Sequence, residues 1–311
     1  MNGTYDTAYH APVMAAEVVE LFRNAKSVLD GTLGGGGHSE ALLESGLERV
    51  VGVDRDPEAL ANARVRLQRF ERAGRFRAVQ SNYADVVDAP ELVDTPIDGV
   101  LLDLGVSSRQ IDDPARGFTF REGAALDMRM SDHGETAADF LNDADEGTLG
   151  NVFRSYADER HATRLAREIV RRRATQAFAT SDDLVRAIRG ALGPRTGPSD
   201  FARLFQALRI AVNDEVEGLK RALPALRDKL EPGGTMAVIT YHSGEDRVVK
   251  HEFREWSADC ICPPKQPVCT CRGRALGELV TRRPVTPSPA EIDRNVRARS
   301  AKLRAFQKDG E

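Results

Sequence analysis

Short apolar runs alternate with a helical pattern along the first third of the chain. Four runs predict buried strands: "SVLDGTL", "RVVGVD", "FRAVQSN" and "DGVLLDLG". Between the second and third runs, "PEALANARVRLQRF" has helical spacing, and Pro57 suits the first turn of that helix. Strands and helices that take turns are typical of a parallel sheet with right-handed crossovers. We therefore expect an α/β domain to begin here.

The pattern changes near Pro114. From about 115 to 200 the spacing is helical, and helix caps are available at Thr136 and Ser181. A long helical stretch follows, which we expect to break near Pro224 because proline removes a helical hydrogen bond. After it, "TMAVITYHS", "GELVTRRPVT" and "RSAKLRAFQK" return to strand patterns.

These patterns predict one discontinuous α/β domain, residues 1–113 and 212–311, interrupted by a helical insertion over 114–211. With 41% hydrophobic residues in 311, the chain can bury a sizeable core. No apolar run approaches the roughly 20 residues of a membrane-spanning helix, and the N-terminal "MNGTYDTAYHAPVM" lacks the layout of a signal peptide. We therefore expect a soluble cytoplasmic protein with no membrane partner.

The formal net charge is -4, so any binding of nucleic acid must depend on local basic surface. One candidate is the tail from 272 to 308, with ten Lys or Arg against three acids. Another is a predicted helix within 154–173, where one face carries four arginines. They are Arg160, Arg164, Arg167 and Arg171. Both segments have an ordinary alternative, since basic residues also occur on solvated surfaces and stabilise helix C-termini.

Four consecutive glycines follow the first predicted strand, in "DGTLGGGGHSE". A phosphate-binding P-loop would need Lys-Ser or Lys-Thr after the last glycine, but His38 and Ser39 follow. A dinucleotide fingerprint would need glycine at the sixth place, which is Ser39 or Glu40 here. This weakens the alternative of a nicotinamide-dependent dehydrogenase. A nucleoside without a pyrophosphate remains, because glycine lets a ligand approach the backbone.

Two carboxylates end predicted strands. Asp54 lies 18 residues past Gly36, where it could accept hydrogen bonds from two ribose hydroxyls. Asp103 follows Val100–Leu102, at the point where a substrate would meet the cofactor. A buried acid is costly unless it is paired, so Asp103 either caps a turn or receives hydrogen bonds from a ligand. The same structural alternative applies to Asp54.

Four cysteines form the pattern C-x-C-x6-C-x-C in "CICPPKQPVCTC": Cys260, Cys262, Cys269 and Cys271. Four thiolates this close could surround zinc, and disulfides are rare in cytosolic proteins. The C-x-C spacing is nevertheless tighter than the usual C-x-x-C, and free thiols are the alternative. We assign no metal ligand from the sequence.

Eight stretches in order resemble the bacterial 16S ribosomal RNA (cytosine-N4)-methyltransferase family. They are "DGTLGGGGHS", "VVGVDRDPEAL", "LLDLGVSS", "RGFTF", "LDMRM", "FQALRIAVNDE", "PGGTMAVITYHSGEDRVVK" and "RARSAKLR". The resemblance runs from His10 to about Arg304. It implies a class I S-adenosylmethionine-dependent methyltransferase, with a Rossmann-like α/β sheet and an all-α insertion that serves RNA recognition. The implied substrate is the exocyclic N4 of a cytidine in the decoding region (P site) of 16S rRNA in the small ribosomal subunit.

The resemblance also implies roles for individual residues. Gly36, Gly37 and His38 match the loop on the methionine part of S-adenosylmethionine, Asp54 matches the ribose-binding acid, and Tyr83 a position near the adenine. Asp103 and Gln110 match the remaining cofactor-site positions. We expect Asp103 to be catalytic by accepting a hydrogen bond from the cytosine amine. His242 and Ser243 follow the fifth sheet strand, where the histidine either contacts RNA or satisfies a turn.

The chain departs from the family pattern mainly in the insertion, at Gly123–Ala125 and Asp200–Arg203, which affects the expected RNA contacts more than the cofactor site. Two further functions fit the same fold. One is an rRNA-binding assembly factor without catalysis, and the other is a methyltransferase acting on another nucleic acid.

Overall fold

A computed structural model describes residues 12–93, 95–264, 266 and 268–310. Most of the N-terminal stretch that was compared with a signal peptide lies outside these residues, and so does His10. The chain forms two compact units, Met1–Gly105 with Val216–Glu311, and Val106–Glu215. In the described part of the chain, every helix is too short or too polar to cross a membrane.

Seven strands and twelve helices are described. The strands are β1 (Ser27–Asp30), β2 (Arg49–Asp54), β3 (Phe76–Gln80), β4 (Ile97–Asp103), β5 (Leu230–Thr240), β6 (Gly277–Leu279) and β7 (Lys302–Lys308). The helices are α1 (Ala15–Leu21), α2 (Gly37–Glu44), α3 (Pro57–Arg72), α4 (Ser108–Asp112), α5 (Ala137–Asp143), α6 (Glu146–Ala157), α7 (Ala162–Arg173), α8 (Ser181–Leu192), α9 (Pro198–Val212), α10 (Glu215–Lys229), α11 (Ser243–Trp256) and α12 (Pro289–Arg294).

The first unit is built on a single sheet with strand order β3-β2-β1-β4-β5-β7-β6. Strands β1 to β5 pair in parallel, whereas β7 is antiparallel to both β5 and β6. The strand order reverses at β1, which lies between β2 and β4, and ligands of open α/β sheets bind at such a switch point. The expected architecture, a Rossmann-like α/β sheet with an all-α insertion, is confirmed.

Continuous apolar runs form the central strands because both faces of the sheet are covered. Val28 packs into an apolar cluster on one face, and Leu29 into a cluster on the other. In β4, Leu101 belongs to the first cluster, while Val100 and Leu102 belong to the second. This buried framework fixes the carboxyl ends of β1, β2 and β4, where the chain places an aspartate at each strand end.

The second unit has an apolar core of its own, formed by helices α5 to α9 and the segment before them. Phe153 and Ile169 are fully buried in it. Thr136 caps α5, as expected, through a hydrogen bond from the backbone of Asp139. The cap of α8 is Thr180 and not Ser181, which is already the first helical residue.

The expected helix break at Pro224 is wrong. Pro224 lies inside α10, whereas the break falls at Asn213 and Asp214, and Asp214 adopts a left-handed φ of 51°. Within the second unit, the Asn213 side chain accepts a hydrogen bond from the Met130 amide and donates one to the Met128 carbonyl. These contacts fix the end of α9.

Candidate active site

The end of β1 carries an aspartate that the sequence analysis did not select. Asp30 is 1% exposed and accepts a hydrogen bond of 2.7 Å from the Ser39 hydroxyl of α2. Burial raises its pKa, although the nearby His38 and the Ser39 hydrogen bond act in the opposite direction. The signal was available, because Asp30 ends an apolar run as Asp54 and Asp103 do.

The glycines of the loop after β1 differ in their packing and backbone conformation. A methyl group at Gly31 would come within 2.6 Å of the Leu102 side chain, so even alanine there would force its neighbours to shift. Gly34 has a left-handed φ of 51° and donates its N–H to Asp54. Gly35 differs from both, since a methyl group there would meet no atom of the described residues within 4 Å and its φ is outside the left-handed region. The backbone at Gly35 therefore borders open space.

The three loop residues singled out from the sequence begin α2. Gly36 caps the helix with a φ of 78°, and a methyl group on Gly37 would come within 3.3 Å of Pro12. His38 is buried, and its Nε2 donates a 2.8 Å hydrogen bond to the Val13 carbonyl. Its Nδ1 faces Asp103, 3.7 Å from the carboxylate oxygen Oδ2. The structure thus brings His38 and Asp103 together.

Asp54 is held by its own neighbourhood at the end of β2. Its Oδ2 accepts the Gly34 N–H at 2.8 Å, and its Oδ1 accepts the Asp56 N–H at 2.9 Å. Burial raises the pKa of Asp54, and the two backbone hydrogen bonds partly offset that effect. Each carboxylate oxygen can accept more than one hydrogen bond, so a fixed pair of acceptors remains for hydroxyl donors.

Asp103 ends β4 among polar groups from three segments. The Tyr241 hydroxyl donates to its Oδ1 at 2.8 Å, and the Asp103 backbone N–H donates to the Thr32 hydroxyl at 2.6 Å. Burial raises the pKa of Asp103 to about 6, against the opposing effects of His38 and Tyr241. The side chain nevertheless keeps 23% exposure. It is therefore oriented by the protein and still accessible from solvent.

The other two expected cofactor residues lie in different units. Tyr83 follows β3 and is half-buried, and a methyl group on Gly31 would come within 3.2 Å of its Cβ. Gln110 belongs to the second unit, where its side chain accepts a 2.9 Å hydrogen bond from the Ser107 N–H and helps cap α4. A cofactor contact of Gln110 stays a prediction.

His242 and Ser243 follow β5 at the same edge of the sheet. His242 caps α11, since its Nδ1 accepts the Glu245 N–H at 3.4 Å, while Ser243 is the exposed first residue of the helix. The buried carboxylate of Glu245 accepts the Tyr241 N–H at 2.9 Å. The turn alternative for His242 is therefore supported, and its contact with RNA stays a prediction. Sequence reasoning missed Tyr241, because its hydrogen bond to Asp103 depends on the pairing of β4 with β5.

The arginine face of α7 differs from its prediction in one respect. Arg160 lies in the turn before α7, so it is not on the helical face. Arg164, Arg167 and Arg171 are exposed on the helix. Arg167 pairs with Glu146 at 2.9 Å and Arg171 with Glu168 at 2.7 Å. Hydrogen bonds from Arg171 and Arg172 lower the pKa of Glu168 to about 2. Part of this charge therefore stabilises the helices.

A shallow, open cavity lined by arginines in the second unit was not expected from the sequence, and two of these arginines, Arg172 and Arg186, pair with Glu168 and Asp183. Its volume is about 450 Å³, and three guanidinium groups contribute to its lining, those of Arg172, Arg186 and Arg189. Gly190 lets α8 approach α7 here, because a methyl group would come within 2.7 Å of the Glu168 carboxylate. In the first unit, by contrast, Arg304 of the basic tail is buried in an ion pair with Asp246 at 2.7 Å.

Comparisons with known proteins identify the family of the chain. Residues 7–309 match the MraW methylase family. The "Ribosomal RNA small subunit methyltransferase H" of Gemmatimonas aurantiaca is 62% identical over 300 residues, 96% of this chain and 95% of that protein. The protein of the same name from Heliobacterium mobile is 46% identical over 310 residues, 96% of this chain and 99% of that protein.

Likeness to solved structures is weaker. The crystal structure of an rRNA methylase from Streptococcus thermophilus is 12% identical, covers 95% of this chain and 93% of its own, and has a TM-score of 0.39. That score supports no conclusion. The sequence relationships are decisive, and they show that the chain belongs to the MraW methylase family.

Proposed function

We propose that this chain transfers a methyl group from S-adenosylmethionine to the exocyclic N4 of a cytidine in the decoding region of 16S rRNA. The observation that carries the proposal is Asp103, which ends β4 beside the glycine loop and is oriented by Tyr241 and Thr32. Membership of a methylase family supports the reaction class. The name of the relatives supports ribosomal RNA of the small subunit as the substrate.

The residues at the strand ends fit this cofactor. The backbone at Gly35 borders open space, so a ligand can approach it without displacing a side chain. Asp54 presents two fixed acceptor oxygens, which suits the paired hydroxyls of a ribose. When bound, S-adenosylmethionine supplies a methyl group activated by a positively charged sulfur. We assign the nucleoside part to Asp54 and Tyr83, and the methionine part to Gly36–His38.

Asp103 acts on the nucleophile. The lone pair of the cytosine amine is delocalised into the ring, so the amine reacts slowly unless it is aligned. Alignment can contribute about 7–11 kcal/mol, against about 3–5 kcal/mol for a placed general base. We infer that the Asp103 carboxylate accepts a hydrogen bond from the amine, directs its lone pair at the methyl group, and orients the proton that leaves after transfer. Since its pKa is about 6, Asp103 is ionised at neutral pH.

The base must leave its stack to reach strand ends at the sheet edge, as in other enzymes that modify bases. We assign the docking of RNA phosphates to the second unit, where Arg164 and the basic cavity offer positive charge. Arg160, Arg167 and Arg171 are further candidates for this surface. We place the reaction in the cytoplasm, where small ribosomal subunits are found.

The test is methyl incorporation from labelled S-adenosylmethionine into small subunits of cells that lack this protein, with mapping of the modified nucleotide. We expect label on the N4 of one cytidine in the decoding region, and a loss of at least a thousandfold with Asp103→Ala. Label at another site would redirect the proposal to another nucleic acid. Cofactor binding without label on subunits, free RNA or DNA would favour an assembly factor, and binding of NAD instead would exclude methyl transfer.

A further inference from the structure

The four cysteines form one sulfur cluster in the segment between α11 and β6. Cys269 Sγ lies 3.8 Å from the Sγ atoms of Cys260 and Cys262, and 3.4 Å from that of Cys271. The Sγ atoms of Cys260 and Cys271 are 3.8 Å apart. All four sulfurs lie within 4.8 Å of one another.

These distances fit a shared metal ion better than disulfides. A disulfide requires two sulfurs at about 2.05 Å, and each of these pairs is far longer. In a tetrahedral zinc site with Zn–S bonds of about 2.3 Å, neighbouring sulfurs lie about 3.8 Å apart. Cys260, Cys269 and Cys271 each have at least two sulfur neighbours at 3.4–3.8 Å, and Cys262 lies 3.8 Å from Cys269. The cluster therefore has the geometry of four ligands around one centre.

The short C-x-C spacing is accommodated by the way the two pairs face each other. The residue between Cys260 and Cys262 is Ile261, and its N–H points to Cys271 Sγ at 3.4 Å. The residue between the other two cysteines is Thr270, and its N–H points to Cys262 Sγ at 3.4 Å. Backbone N–H groups that face sulfur stabilise thiolates, the form that binds metal. The tight spacing thus gives each pair a donor to the opposite pair.

Few apolar contacts hold this segment. Among the described residues of 257–276 none is buried, and Ile261 and Val268 are 43% and 70% exposed. Its other contacts lie near its ends, where the Arg272 guanidinium donates hydrogen bonds to the Glu255 and Ala258 carbonyls and Leu276 packs partly against the core. The segment is closed at its base by a 2.7 Å hydrogen bond from Leu276 N–H to the Trp256 carbonyl. A stretch without an apolar core needs another source of order, and a structural metal ion is a common one.

We propose that Cys260, Cys262, Cys269 and Cys271 bind one zinc ion as a structural site. Four thiolates in tetrahedral arrangement select zinc or iron, and zinc is the metal that typically closes such a site for structural purposes. The protein supplies all four ligands, so no coordination position is left for a substrate. The ion fixes the segment that joins α11 to the two antiparallel edge strands.

The first test uses the full-length chain purified without chelator. We expect about one zinc per chain by elemental analysis, and an X-ray absorption spectrum of four sulfurs at about 2.3 Å. The chain has only four cysteines, so a thiol titration reads the site directly. All four thiols should react slowly with a disulfide reagent until zinc is extracted. Less than a tenth of an equivalent of zinc, iron as the main metal, or a mass showing disulfides would each overturn the proposal.

Variants give an independent test. Cys262→Ser and Cys269→Ser should each lower zinc content at least tenfold at a fixed concentration of a competing chelator. Thr270→Ser is the matched control, since it changes a neighbour of two ligands without removing a thiol, and it should keep the metal. Circular dichroism checks that each variant is folded. If a variant does not fold, the X-ray absorption spectrum of the unchanged protein still tests the site. Full zinc retention in both cysteine variants would exclude the site.

Discussion

The Tyr241 hydroxyl donates a 2.8 Å hydrogen bond to Asp103 Oδ1 and so links two residues that are 138 positions apart in the chain. The link follows from the pairing of β4 with β5, which places Asp103 opposite Ile239. A hydrogen bond to a carboxylate favours its ionised form. Burial has the largest effect on the pKa of Asp103 and raises it, while Tyr241 acts with His38 to lower it and so extends the pH range in which the carboxylate is ionised.

Replacing Tyr241 with Phe should make the enzyme more sensitive to acid. Loss of the donor raises the pKa of Asp103 above its value of about 6, so the acidic limb of the kcat/KM profile moves toward neutral pH. A hydrogen bond to a charged group contributes about 1.5–3 kcal/mol, so we expect a loss of about 7- to 80-fold near pH 6 and much less near pH 8. The check is kcat/KM from pH 5 to 9. A profile that overlays that of the unchanged enzyme would remove Tyr241 from this role.

Asp103→Asn should stabilise the unliganded protein in a pH-dependent way. Burial raises the pKa of Asp103 from 3.8 to about 6, so the folded chain holds this proton more tightly than the unfolded chain. The cost of the ionised carboxylate is absent below about pH 4 and complete above about pH 6. We expect the variant to gain about 1–3 kcal/mol above pH 6 and nothing at pH 4. The difference in unfolding free energy between the two proteins, measured by urea titration across this range, should be flat if Asp103 is not responsible.

Gly35→Ala should separate cofactor binding from folding. In the part of the chain that the structure describes, a methyl group there meets no atom within 4 Å, so stability should change by less than about 0.5 kcal/mol. We expect the Kd for S-adenosylmethionine to rise about tenfold or more, because the methyl group occupies space assigned to the ligand. Isothermal titration calorimetry gives the Kd and thermal unfolding the stability.

Gly31→Ala is the matched contrast in the same loop. Its methyl group would come within 2.6 Å of Leu102, so overpacking should destabilise the fold by about 1–3 kcal/mol. An unchanged Kd in Gly35→Ala would mean that the open space at Gly35 is not where the cofactor binds.

Arg164→Ala should weaken binding of RNA in a salt-dependent way. Among the residues that the structure describes, Arg164 has no ion-pair partner, unlike Arg167 and Arg171. If it contacts one phosphate, the slope of log K against log salt should become shallower by roughly 0.7–0.9. Filter binding to a small-subunit RNA fragment at several salt concentrations measures this slope. The control is Arg23→Ala, which removes an exposed arginine of the first unit and should leave the slope unchanged.

The sequence predicted the central strands well because buried parallel strands are continuous apolar runs. It failed at Pro224, since the cost of a proline inside a helix, about 3 kcal/mol, is outweighed when one face is deeply buried. Leu219, Leu223 and Leu226 are all fully buried on α10. Asp214, which follows α9, adopts a left-handed backbone conformation. The sequence gives no clear local signal for this conformation, because non-glycine residues rarely adopt it.

Within the candidate site, the sequence predicted residues that follow a local pattern but not contacts between distant parts of the chain. Asp54 and Asp103 could be selected because each acid directly follows an apolar run, and Asp30 could have been selected by the same rule. The partnership of Tyr241 with Asp103 could not, because it arises from strand pairing across the insertion. The arginine cavity depends on the packing of α7 against α8, which the helical periodicity of each segment does not specify.

The insertion occupies the connection between two strands that are hydrogen-bonded neighbours. β4 ends at Asp103, the second unit begins at Val106, and the sheet resumes with β5 beside β4. The backbone ladder pairs Asp103 with Ile239, two residues before Tyr241, although more than a hundred residues separate the two strands in the chain. If the second unit docks the RNA as proposed, chemistry and substrate recognition are modular, and exchanging the insertion would change the RNA that is bound while Asp103 keeps its place at the end of β4.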